Sequence, residues 1–147
     1  MLLYDFGSKE RLVAAVLAEA RRREAALLAE QRRRPGTTES ETLHWIWNWL
    51  TRPERAPFLR LFFEVYADAM THPEKYAGGA RPMIDEWLHF LRTRWSATGL
   101  EHATATLMIG VVRGLLLDRL TAPDPERVDQ ALARFAQLFD DPGIRGS

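Results

Sequence analysis

The chain has no cysteine. Disulfides and thiolate metal centres are therefore excluded, and a cytoplasmic home is the natural expectation. Charge of one sign is missing too, because twenty Lys and Arg balance twenty Asp and Glu. A domain that grips nucleic acid ordinarily carries a basic surplus, so the balance argues against this role for the chain as a whole, though it does not exclude one basic end. Long hydrophobic runs are absent. The longest, Leu107 to Leu117, is broken by Arg113 and falls short of the roughly 18 residues of a membrane span. The opening Met1-Leu2-Leu3-Tyr4-Asp5-Phe6 has neither the basic start nor the long apolar stretch of a signal peptide. Lysine is scarce, with Lys9 and Lys75 the only two among the twenty basic residues, which reads as genome composition rather than function. No Gly-rich phosphate loop, His-Glu-x-x-His pair or Ser-centred elbow occurs, so catalysis and a cofactor have no positive support.

What is present is hydrophobic. Apolar residues make up 46% of the 147, with five Trp, seven Phe and three Tyr. That marks a folded chain with one domain's worth of core. Period-two alternation is missing, and apolar residues recur at three and four, which predicts an all-α fold. Six segments follow from this spacing. The first runs from about Lys9 to Arg34, capped by Ser8 and stopped by Pro35-Gly36, and would span about 39 Å. The second starts at the capping-box pattern of Thr38 and Glu41 and holds Trp45, Trp47 and Trp49. Thr51-Arg52-Pro53-Glu54 breaks it. The third carries Leu59, Phe62, Phe63, Tyr66 and Met70, and ends at Thr71-His72-Pro73-Glu74. The fourth covers about Arg81 to Ser96 and the fifth about Glu101 to Leu120. Asp124-Pro125-Glu126 opens the sixth with an N-cap, a proline at the first helical position and an early acid.

The fifth segment is apolar almost all round from Leu107 to Leu117, so it must be covered on more than one side. Gly110 and Gly114, four apart, permit close approach of another helix. The sixth has a clean stripe at Val128, Leu132, Phe135 and Phe139. Two readings stay open: a central core helix within one chain, or a pair of helices that closes a four-helix bundle with a second copy. The second reading puts Leu107, Val111, Gly114, Leu115, Val128, Leu132, Phe135 and Phe139 at a homodimer interface.

The N-terminal stretch Leu3-Tyr4-Asp5-Phe6-Gly7-Ser8-Lys9-Glu10-Arg11-Leu12 resembles the junction in TetR-family transcription regulators where the recognition helix ends and the long connecting helix begins. The match rests on Leu3, Tyr4, Phe6, Ser8, Lys9, Glu10 and Leu12, and departs at Asp5. Beyond these ten residues the resemblance is one of helix number, order and length. It implies a six-helix regulatory bundle whose last two helices dimerise. Residues 1–8 would be the remnant of a recognition helix and its turn, and residues 9–147 an effector-binding and dimerisation domain. Most of the helix-turn-helix would lie upstream, so operator DNA is a partner only for a full-length parent. Tyr4 and Lys9 would touch DNA phosphates, as the charge of Lys9 beside a helix N-terminus suits; packing of the turn by Tyr4 and a merely solvated Lys9 is the competing reading. The implied partners are a second copy and a small, partly apolar effector, with no membrane involved.

Candidate sites follow. Arg21-Arg22-Arg23 and Arg32-Arg33-Arg34 could suggest nucleic acid, but Glu19, Glu24 and Glu30 stand at pairing distance and predict a solvated helix face. Trp45 and Trp49 share one face and Trp47 points elsewhere. With Phe62, Tyr66, Trp87 and Met108 they either fill a core or line an effector pocket between helices, and the resemblance favours the pocket. Arg113, alone in the apolar run, needs a partner: Asp118, a carboxylate across a dimer, or an acidic group of the ligand. Glu86 and His89 have the spacing of half a carboxylate-bridged metal site, but the second half is absent and a solvated face is the expectation. The function expected is the ligand-sensing, dimerising body of a DNA-binding regulator. The alternative is a helical homodimeric interaction protein without ligand that acts through mixed dimers.

Overall fold

The structure, a computed structural model, describes residues 38–76, 101–122 and 124–141, and among residues 15 to 30 only 15, 18, 19, 22, 23, 25, 26, 29 and 30. Among the described residues there is no strand. The scattered residues between 15 and 30 are helical, and four α-helices follow: α1 (Glu39–Leu50), α2 (Ala56–Thr71), α3 (Glu101–Thr121) and α4 (Pro125–Asp140). The expected fourth segment, Arg81 to Ser96, lies outside the described residues, as does Pro35-Gly36.

Local chemistry sets the helix ends. Thr38 is extended, its hydroxyl accepts from the Glu41 N–H at 3.1 Å, and the Glu41 carboxylate accepts from the Thr38 N–H at 2.9 Å. This capping box satisfies two donors that would otherwise lack partners at the start of α1. At the other end, Pro53 disfavours helical backbone at Arg52, which sits at φ −59° and ψ 135°. The chain turns there through one 3₁₀ turn, Pro53–Arg55, before α2 begins. Pro73 similarly follows the end of α2 and starts a second 3₁₀ turn, Pro73–Tyr76. Asp124 caps α4 by accepting from the Arg127 N–H at 3.2 Å, with Pro125 just inside the helix.

The core lies where α4 meets α1 and α3, while α2 lies against α3. From α4 come Val128, Leu132 and Ala136, at 0–1% exposure and spaced four apart. α1 contributes Leu43, Ile46, Trp47, Trp49 and Leu50; α3 contributes Ala105, Met108 and Leu116; Leu59 joins from α2. Burying each large side chain here is worth about 1.5–3 kcal/mol.

Two polar links tie the helices together. The carboxylate Oδ1 of Asp129 on α4 accepts from the indole N–H of Trp47 on α1 at 2.8 Å and from Arg119 on α3 at 3.0 Å. Arg127 on α4 binds Asp118 at the end of α3 at 2.6 Å, and its own cap residue Asp124 at 3.4 Å. The hydrogen bond from Arg127 to Asp118, and the attraction of both carboxylates, hold the Arg127 pKa above the ordinary arginine value.

No helix among the described residues is long and apolar enough to cross a membrane.

Candidate functional site

The aromatic residues singled out in the sequence divide between two places. Trp49 is 8% exposed and Met108 1%, and both belong to the core; Trp45 is half-buried and packs against the same cluster. The guanidinium carbon of Arg55 sits 3.5 Å from the centre of a Trp49 ring, a cation–π contact that covers one face of the indole. Trp47, which the spacing places on a different face from Trp45 and Trp49, is buried and turned toward Asp129. The α1 tryptophans thus pack the core on two sides of their helix.

Phe62 and Tyr66 form a separate group with Arg113. One helical turn apart on α2, their rings are 5.7 Å centre to centre and tilted, and the neighbouring Phe63 meets Phe62 edge-on at 5.3 Å. From α3, Arg113 Nη1 donates to the Tyr66 hydroxyl at 2.5 Å, and the guanidinium carbon lies 5.3 Å from the Tyr66 ring centre. Arg113 Nε donates back to the Ile109 carbonyl at 3.4 Å. Trp87, the remaining aromatic candidate, lies outside the described residues.

Of the three partners the sequence allows for Arg113, Asp118 is not the one; it is bound to Arg127 instead. Residues five apart on a helix point about 140° away from one another, at 3.6 residues per turn. Asp118 therefore faces α4, while Arg113 faces α2.

The expected interface residues also separate. Val128 and Leu132 are 0% and 1% exposed within the single chain, so they are core residues that a second copy would not reach. Phe135 and Phe139 are half-buried, edge-to-face at 5.1 Å, and packed against the core; Leu115 is half-buried beside it. Val111 is half-buried. Leu107 at 57% exposure, Gly110, Gly114 and Leu117 at 43% instead form an open stripe along α3. A Cβ at Gly110 or Gly114 would meet nothing within 4 Å. Among the described residues, the glycines therefore serve no close approach. On α4, Leu138 is also open, at 41%.

Tyr4, Lys9, Arg21, the Arg32–Arg34 run, Glu86 and His89 lie outside the described residues. Arg22 and Arg23 are exposed and both pair with Glu19, the second at 3.3 Å, as a solvated helix face requires. Arg23 also lies 5.9 Å from the ring centre of Phe58, near the start of α2. Among the described residues no cluster of His, Asp and Glu could hold a metal ion.

Sequence reasoning missed Asp129 as the common acceptor of two helices. Its partner Trp47 is 82 residues away, and no local spacing could have linked them. The chain matches no family model, no curated protein and no solved structure.

Proposed function

We propose that this chain is the ligand-sensing, dimerising body of a TetR-type transcription regulator. On this reading the six-helix regulatory bundle covers residues 9–147, and the DNA-reading head belongs to a longer parent. The observation that carries the reading is the open stripe Leu107, Gly110, Gly114 and Leu117 on α3. A glycine inside a helix costs about 1 kcal/mol relative to alanine. Two of them on an exposed apolar face, with no crowding from the described residues, are accounted for by a helix from outside that approaches closely. A second copy of the same chain is the simplest source and gives a two-fold interface. The N-terminal junction motif supports the DNA-reading parent. The aromatic group Phe62, Tyr66 and Arg113 supports an effector site between α2 and α3, where a ligand could shift helix packing and so the spacing of two DNA-reading heads.

A second reading is an interaction module without ligand, which acts through mixed dimers with full-length regulators. It is favoured by the placement of Trp49 and Met108, which fill the core.

Light scattering at micromolar concentrations tests the proposal. The chain should have the mass of a dimer. Gly114→Leu should shift it toward monomer while the helical circular dichroism signal is kept, because the protomer has room for the side chain. A strict monomer would remove the dimer and most of the support for a paired DNA-reading parent.

A further inference from the structure

Resting on the effector-site reading, we infer that Arg113 and Tyr66 form the polar end of a site for a carboxylate ligand with an apolar body. Arg113 is the only charge between Leu107 and Leu117. It is half-buried, and among the described residues no carboxylate lies within ion-pairing distance; the nearest acid in sequence, Asp118, is held by Arg127. A guanidinium carries five N–H donors in a planar fork that matches a carboxylate. Two of the five are engaged, one by the Tyr66 hydroxyl and one by the Ile109 carbonyl. Arg113 is half-buried rather than enclosed, and among the described residues its remaining donors have no hydrogen-bond partner. Tyr66 accepts from Arg113 with its oxygen, which leaves its own O–H to donate. A carboxylate bridging the two would receive a charged donor on one oxygen and the phenol on the other.

The surroundings select the rest of the ligand. Phe62 extends from Tyr66 along α2 as an aromatic surface, backed edge-on by Phe63, which packs against the core; such a surface suits a ring or an alkyl chain. The guanidinium balances a single negative charge, with the phenol as a neutral donor beside it, and a phosphate dianion would keep an uncompensated charge in a half-buried place.

The probes are phenylbutyrate and decanoate, each compared by calorimetry with its neutral amide. The carboxylates should bind and the amides should bind about tenfold more weakly or worse, a ratio that corresponds to about 1.4 kcal/mol. Arg113→Gln should remove the preference, Tyr66→Phe should reduce it, and Arg127→Gln, a change at the α3–α4 link, should preserve it. Should Arg113→Gln fail to fold, Arg113→Lys is the second variant: it keeps the charge but loses the fork, and should weaken carboxylates several-fold without affecting amides. Equal binding of acid and amide, both lost in Phe62→Ala, would overturn the carboxylate assignment and leave an effector site in place. Absence of binding by either acid would overturn the site itself, while the dimer and its light-scattering test stand separately.

Discussion

The indole N–H of Trp47 donates to the Asp129 carboxylate at 2.8 Å, across 82 residues of sequence. The tryptophan is 3% exposed, whereas the Asp129 side chain is 53% exposed, so a buried donor is satisfied by an acceptor that stays wet. Because Arg119 binds the same oxygen, this one carboxylate joins α1, α3 and α4. Removing it leaves Trp47 without its acceptor, which should cost about 1–2 kcal/mol. Urea unfolding of Asp129→Ala, Trp47→Phe and the double variant should give a coupling of about 0.5–1.5 kcal/mol. A coupling near zero would mean that water replaces Asp129 at no cost.

Loss of the Thr38 side chain should weaken the start of α1. Thr38→Ala removes the acceptor for the Glu41 N–H and should cost about 1 kcal/mol, whereas Thr38→Asp should stay within a few tenths of the parent. Thermal melts of the two variants check this. Equal melting temperatures would show that the cap is immaterial.

Two leucines six residues apart on α4 should differ widely. Leu132 is 1% exposed and Leu138 is 41% exposed. Leu132→Ala should cost about 2–5 kcal/mol and Leu138→Ala about 0.5 kcal/mol or less in the isolated protomer. Chemical denaturation of each, at concentrations low enough for a monomer, provides the comparison. Similar losses would mean that α4 is rotated from the orientation described.

The Arg127–Asp118 link should respond to salt more than to pH. Its raised arginine pKa means that the folded chain holds the proton more tightly than the unfolded chain. That contribution is complete below the ordinary arginine value and is lost only as pH climbs beyond it, so the arginine adds no pH dependence near neutrality. The gap in melting temperature between the parent and Arg127→Ala should narrow as salt rises from about 0.1 M to about 1 M, where screening shortens from ~10 Å to ~3 Å. A salt-independent gap would assign the role of Arg127 to packing.

Much of this architecture is legible in local sequence because its causes are local. Thr38 with Glu41, and Asp124 with Pro125, mark helix starts through contacts within one turn. Proline at positions 53 and 73 marks the ends in the same way. Arg113 was legible as a residue in need of a partner, but its hydroxyl partner Tyr66 lies 47 residues away on α2; the acid five residues on points to a different helix. The α4 stripe was legible as apolar, yet periodicity is the same for a core and for an interface. Only the position of α1 shows that Val128 and Leu132 are already covered. The three tryptophans of α1 pose the same difficulty: their spacing gives directions but not neighbours.

The central claim is that a second copy covers the open stripe of α3, and cysteine cross-linking tests it most directly. The chain has no cysteine, so each introduced thiol is unique. Single variants Leu107→Cys, Gly110→Cys, Gly114→Cys and Leu117→Cys should be oxidised and run on a non-reducing gel, with the exposed Asn48→Cys of α1 as the control. A disulfide needs its two Cα atoms about 4.4–6.8 Å apart, a separation reached only close to a two-fold axis. At least one stripe variant should become a covalent dimer rapidly and nearly completely, while Asn48→Cys remains monomeric on the gel. Slow, equal cross-linking at all five positions, or none at any stripe position, would contradict the claim.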